Sequence, residues 1–243
     1  MRFYTSFLIL SVCIAVKSFG QNELTNASSA RETIAYPVAL YKAATSQSQN
    51  LYNGRQYYMY DSRSEEHQFF LDRKWKKGSV LYDGQLFDSI PMLYDIFQDE
   101  LVIKHFNGDD LLLQSEKTDY FEVNGHRFER MEAGKNIDAQ MRTGFYDVLY
   151  NGKTRTLVRR SKQRQETIQD KRVTALFPQK DFFYISKNGR YNAVHSRKSV
   201  FSLFPEHKKE LRKVLKDQKI RFKKNRELAI ARIVAAYDEL ARL

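Results

Sequence analysis

Between residues 53 and 189 the chain is cut six times by an Asn-Gly or Asp-Gly pair: Asn53-Gly54, Asp83-Gly84, Asn107-Gly108, Asn124-Gly125, Asn151-Gly152 and Asn188-Gly189. These dipeptides tolerate the positive φ angles of the two-residue turns that reverse one β-strand into the next. Each is flanked by β-branched or aromatic residues, the composition of strands. The pairs take six of the ten glycines, so glycine is placed for chain reversal and is not gathered into a phosphate-binding loop. The series predicts an antiparallel meander.

The flanking segments fit. Residues 67–82, 101–103, 111–113, 120–123 and 126–131 are apolar or aromatic runs between turns, followed by 145–150, 154–158, 173–177, 182–185 and 191–194. Roughly ten short strands at this spacing imply a sheet that curls, packs on itself or closes into a barrel. Fifteen Tyr and seventeen Phe supply large side chains for its core, each contributing about 1.5–3 kcal/mol when buried. Some of them, such as Tyr57, Tyr58, Trp75, Phe145 and Tyr150, are equally suited to lining a cavity or stacking on a sugar.

After Ser196 the vocabulary turns helical. Val200, Leu203 and Phe204 mark a short piece, Pro205 introduces a helix over 206–217 with Leu211, Val214 and Leu215 on one face, and a last helix over 224–243 carries a stripe of Leu228, Ile233, Val234, Tyr237 and Leu240. The expected class is α+β: a predominantly antiparallel β meander, curled or barrel-like, followed by C-terminal helices. Its segments are a signal peptide at 1–20, an exposed N-terminal arm at 21–50, an antiparallel β domain at 51–196 and a basic helical segment at 197–243 packed on the sheet.

The first twenty residues predict export. Arg2 gives a positive start, residues 7–16 are apolar, and Ser18-Phe19-Gly20 places small residues before a cleavage between Gly20 and Gln21. About ten apolar residues are too few to span a bilayer, and no later stretch predicts a transmembrane segment. The single cysteine, Cys13, lies inside this leader, so the processed chain has no disulfide and no thiol nucleophile. Val12 is too bulky for a lipoprotein signal at Cys13. The expected setting is periplasmic, outer-membrane-associated or secreted.

Charge is unevenly placed. The net charge is +12, yet residues 21–152 hold fourteen basic and twenty acidic side chains, whereas residues 197–226 hold twelve basic and three acidic ones. Lys208, Lys209, Arg212, Lys213, Lys216, Lys219, Lys223 and Lys224 form a candidate contact for an anionic partner. Inside a cell nucleic acid would come first; export makes it unlikely and favours an anionic envelope surface or an acidic protein partner. The plainer alternative is a solvated face that confers solubility.

No chemistry announces itself. The five histidines, His67, His105, His126, His195 and His207, lack metal-binding spacing, no Ser sits on a Gly-flanked elbow, and nothing calls for a cofactor. Paired carboxylates escape a linear reading because they meet in space. The expectation is an exported, non-enzymatic protein that binds an envelope component or a protein partner. Its alternatives are a barrel-like module for a small apolar or sugar ligand and a hydrolase of envelope polymers.

Residues 93–102, from Leu93-Tyr94-Asp95-Ile96-Phe97 to Val102, and residues 144–153, Gly144-Phe145-Tyr146-Asp147-Val148-Leu149-Tyr150-Asn151-Gly152-Lys153, resemble a family of uncharacterised secreted β-rich proteins of Bacteroidota-type bacteria. Lys198-Ser199-Val200 and the closing Ala236-Tyr237-Asp238-Glu239-Leu240 are similar to that family's ending, so the likeness covers about residues 78–243. It implies a Gram-negative periplasmic, outer-membrane-associated or secreted setting and transfers no active site. Asp88-Ser89-Ile90 also resembles an O-glycosylation acceptor triplet of such bacteria.

Overall fold

A computed structural model describes residues 50–59, 66–169 and 172–241; the expected leader, its expected cleavage point between Gly20 and Gln21, and the expected N-terminal arm up to residue 49 lie outside them. Among the described residues thirteen strands precede three α-helices. They are β1 (Arg55–Gln56), β2 (Lys76–Tyr82), β3 (Gln85–Asp95), β4 (Glu100–Lys104), β5 (Asp110–Leu112), β6 (Thr118–Val123), β7 (His126–Met131), β8 (Gly144–Tyr150), β9 (Thr156–Lys162), β10 (Gln165–Gln169), β11 (Arg172–Leu176), β12 (Gln179–Lys187), β13 (Arg190–Val194), α1 (Arg197–Leu203), α2 (Lys208–Asp217) and α3 (Arg226–Leu240). Eleven strands form one antiparallel sheet in the order β1-β5-β4-β3-β2-β6-β7-β8-β9-β12-β13, and β10 pairs with β11 as a separate hairpin. The fold is α+β, and the sheet is open, with β1 and β13 at its edges.

Five of the six Gly pairs fall between sequence-adjacent partner strands. Asp83-Gly84, Asn124-Gly125 and Asn188-Gly189 have positive φ at both residues, between 52° and 76°, the geometry of the tightest hairpins. Asn151-Gly152 works differently: a Cβ on Gly152 would sit 2.4 Å from the Tyr150 ring and 2.5 Å from Asp238 Oδ2, so this glycine permits a close approach of loop to helix. Asn53-Gly54 precedes β1, which pairs with the distant β5. The longest strand, β3, escapes sequence reading because Asp88, Ser89 and Pro91 interrupt its apolar pattern. Pro91 is tolerated because β3 meets β4 only from Met92 onward.

The sheet curls strongly. Tyr94 on β3 and Phe145 on β8 are four strand spacings apart, about 19 Å in a flat sheet, yet their ring centroids are 6.0 Å apart. Tyr94 also touches Phe121 at 5.0 Å and Phe128 at 4.7 Å. These rings, with Phe70, Met92 and Ile103, are buried in one cluster, which fills the concavity. The end of β3 meets the end of β9 through a single backbone bond, Lys162 N–H to Ile96 O at 3.1 Å. Residues 68–70 occupy the rest of this seam. Phe70 N–H donates to Tyr94 O and Ile96 N–H to Gln68 O, while the Lys162 ammonium donates to the His67 and Phe69 carbonyls.

The helices form a second core with β9, β12 and β13, in which Val158, Phe183, Ile185 and Val194 meet Val200, Phe204, Leu211, Leu215, Ile230 and Ile233. Ser196 starts α1 with a reciprocal capping box to Ser199. In α2, Leu211 and Leu215 point inward, which turns the remaining, lysine-rich faces outward. Of the stripe expected on α3, Ile233 and Val234 are buried and Tyr237 and Leu240 pack against the same core, whereas Leu228 is 46% exposed and Ala229 and Ile230 take the inward place in the first turn.

Candidate anion-binding cleft

The outward faces of α1 and α2 and the connection into α3 enclose a cleft of about 1080 Å³. α1 contributes Arg197 and Lys198, and α2 contributes Arg212 and Lys216. The connection contributes Arg221, Lys223 and Lys224, and Arg226 opens α3. Leu215, Ile220 and Phe222 form an apolar floor, and no carboxylate lines the cleft. This follows from local folding: burying Leu211 and Leu215 leaves Arg212 and Lys216 of the same turns at the rim.

Electrostatic pairing divides the molecule. In the sheet, several basic groups are matched: Arg127 and Arg155 with Glu129, Arg159 with Asp99, Lys104 with Asp110, and Arg160 with three acids. Among the described residues none of the eight cleft cations has a carboxylate within 4.0 Å. Three of its arginines instead lie over buried rings, Arg197 and Arg212 each 5.6 Å from Phe201 and Arg226 4.5 Å from Phe183. For Arg197 and Arg212 such stacking fixes the guanidinium while leaving its N–H edge open to an oxyanion, whereas Arg226 Nη2 donates to the Val194 carbonyl at 3.4 Å.

Of the residues the charge run predicts, Arg212, Lys216, Lys223 and Lys224 line this cleft. Lys208 lines a neighbouring one, and Lys213 faces Glu210, Asp217 and Glu239 in another. Lys209 and Lys219 line none of these three. Arg197, Lys198 and His195 complete the site from an earlier stretch of chain; their only sequence signal is the basic pair after a helix-capping serine.

A different charged cluster sits between sheet and helices. Arg160, 3% exposed, donates through Nε to Asp147 at 3.0 Å and through Nη1 to Asp181 at 2.9 Å and to Glu227. Asp147 also meets His126 Nδ1 at 2.8 Å. Burial lowers the Arg160 pKa, but the hydrogen bond to Glu227 and the charges of Asp147 and Asp181 outweigh it and push it up. Asp181 and Glu227 share a cleft, and both are tied to the Arg160 guanidinium, so the cluster clamps β9, β12 and α3 together. No group of three or more His, Cys, Asp or Glu among the described residues could hold a metal ion.

No helix among the described residues is long and apolar enough to cross a membrane. Comparison with protein-family models, curated proteins and solved structures finds no match.

Proposed function

We propose that the chain is an exported, non-enzymatic binding protein of the cell envelope or its exterior, in which the curled sheet is the scaffold and the helical cleft holds an anionic partner. One observation carries the reading: eight cations surround one cleft with no carboxylate lining it, while Arg155, Arg159 and Arg160 of the sheet each have an acidic partner. Like charges gathered this way repel, and an anion that enters relieves the repulsion. The leader and the likeness to secreted proteins of Bacteroidota-type bacteria support the setting. The concavity of the sheet, filled by Phe121, Phe128 and Phe145, leaves the enclosed-ligand alternative without supporting room.

The purified protein is expected to sediment with anionic envelope fragments at about 20 mM salt and to be released at about 500 mM, where the screening length falls to a few ångströms. Substituting Arg212, Lys216 and Lys224 by Ser is expected to abolish sedimentation at low salt. Equal retention of parent and variant would remove the cleft from the reading. Amino-terminal sequencing of the exported form is expected to begin at Gln21, and an intact Met1 would remove the export.

A further inference from the structure

The cleft adjoins two others. It shares His195, Lys224 and Arg226 with a second cleft that also holds Lys180 and Phe182, together with Asp181 and Glu227, both already paired with Arg160. It shares Arg197, Lys198 and Arg212 with a third that reaches Lys208 and Phe201. The shared residues set the three clefts side by side. Their cations come from β12, α1, α2, the connection to α3 and its first residue, elements spread over some fifty residues of chain that the fold brings together.

Resting on the exported, anion-binding reading above, we infer that the three adjoining clefts run together as one trough that takes a linear acidic polysaccharide along its length. A single phosphate or carboxylate would fill one corner of the 1080 Å³ central cleft and leave both shared walls unused. A bilayer presents a flat anionic face that suits a protruding basic surface, whereas here the cations line the walls of a concavity. A flexible polymer with a charge on successive sugars meets successive cations, and each added unit within the trough binds at high effective concentration. Arg197 and Arg212, held on Phe201, present forked N–H edges that match carboxylate or sulfate bidentately. Half-buried Phe222 and Phe182 offer apolar contact for sugar faces between charges.

The test titrates the full protein with oligogalacturonates of two to ten units at about 50 mM salt. Affinity is expected to tighten at least about tenfold between the dimer and the octamer and then level off as the trough fills. Replacing Arg197 and Arg212 by Ser, which interrupts one shared wall, is expected to erase most of that gain. Replacing Lys209 and Lys219 by Ser, the same change in net charge outside the trough, is expected to keep it. Unfolding transitions of both variants verify that the comparison is between folded proteins. Affinity independent of oligomer length, or an equal loss in both variants, overturns the trough. Tenfold tighter binding of single-stranded DNA of matched charge, or of phosphatidylglycerol vesicles, overturns the polysaccharide in favour of nucleic acid or lipid. Failure of every anion, inorganic phosphate included, overturns the anion-binding reading itself.

Discussion

At the scale of single residues, the position most sensitive to substitution is Arg160. Its guanidinium is the counter-charge for Asp147, which is 1% exposed, and it reaches Asp181 on β12 and Glu227 on α3 at the same time. Truncation leaves a buried carboxylate whose remaining side-chain contact is His126 Nδ1 at 2.8 Å. Arg160→Ala is therefore expected to lose about 3–5 kcal/mol of unfolding free energy, read from urea midpoints. A doubly apolar Arg160→Met, Asp147→Leu variant is expected to recover most of the loss, since replacing both partners removes the unpaired charge. Recovery absent from the double variant would mean that the cluster stabilises by some route other than pairing. Asp147 and Arg160 are visible in the sequence only as charges on strands, and nothing linear places them together.

Among elements, the attachment of α3 to the sheet turns on Asp238. Buried to 2% exposure, its carboxylate accepts the Thr154 N–H at 2.9 Å and the Tyr150 hydroxyl at 3.2 Å. One helical side chain thereby holds the β8–β9 connection, which explains why Gly152 must have no Cβ. Asp238→Ala strands a buried N–H and is expected to cost about 1–3 kcal/mol, with amide exchange rising first in residues 151–155. Exchange that rises uniformly over the chain would show that α3 and the sheet separate only on global unfolding. The helices themselves were legible in periodicity to within a few residues. Only the first turn of α3 was not, because Leu228 and Ile230 are equally apolar and the sheet beneath decides which turns inward.

For the whole molecule, acid stability follows from how the sheet pairs its charges. Burial raises the Glu129 pKa, but hydrogen bonds to Arg155 and Arg127 outweigh it and hold the carboxylate below its ordinary value of 4.5. A lowered folded value means a contribution fully present above the unfolded pKa and lost as pH falls through the folded one. Asp95 opposes this: burial raises its pKa despite the Tyr57 hydroxyl at 2.6 Å, so its protonation favours the folded state. The difference in stability between parent and Glu129→Gln is expected to shrink steadily below about pH 4.5 in urea titrations. A gap that stays constant down to pH 3 would exclude Glu129 as a source of the acid limb.

The turn pairs, the strand-rich runs and the basic C-terminal helices were written locally: φ preference, β-branching and charge density act over two to ten residues, and that range was enough to define an antiparallel α+β chain with a cationic end. The β3 strand, interrupted by Pro91, and β10 needed partners to be seen, whereas β11 falls within the run read over 173–177. Tertiary structure alone decided that the sheet would curl until Tyr94 met Phe145, that Arg160 would gather acids from three elements, and that Arg197 and Lys198 would face Arg212 across one cleft. Those outcomes depend on contacts between residues tens of positions apart, whose geometry is set by packing and by no neighbour in sequence.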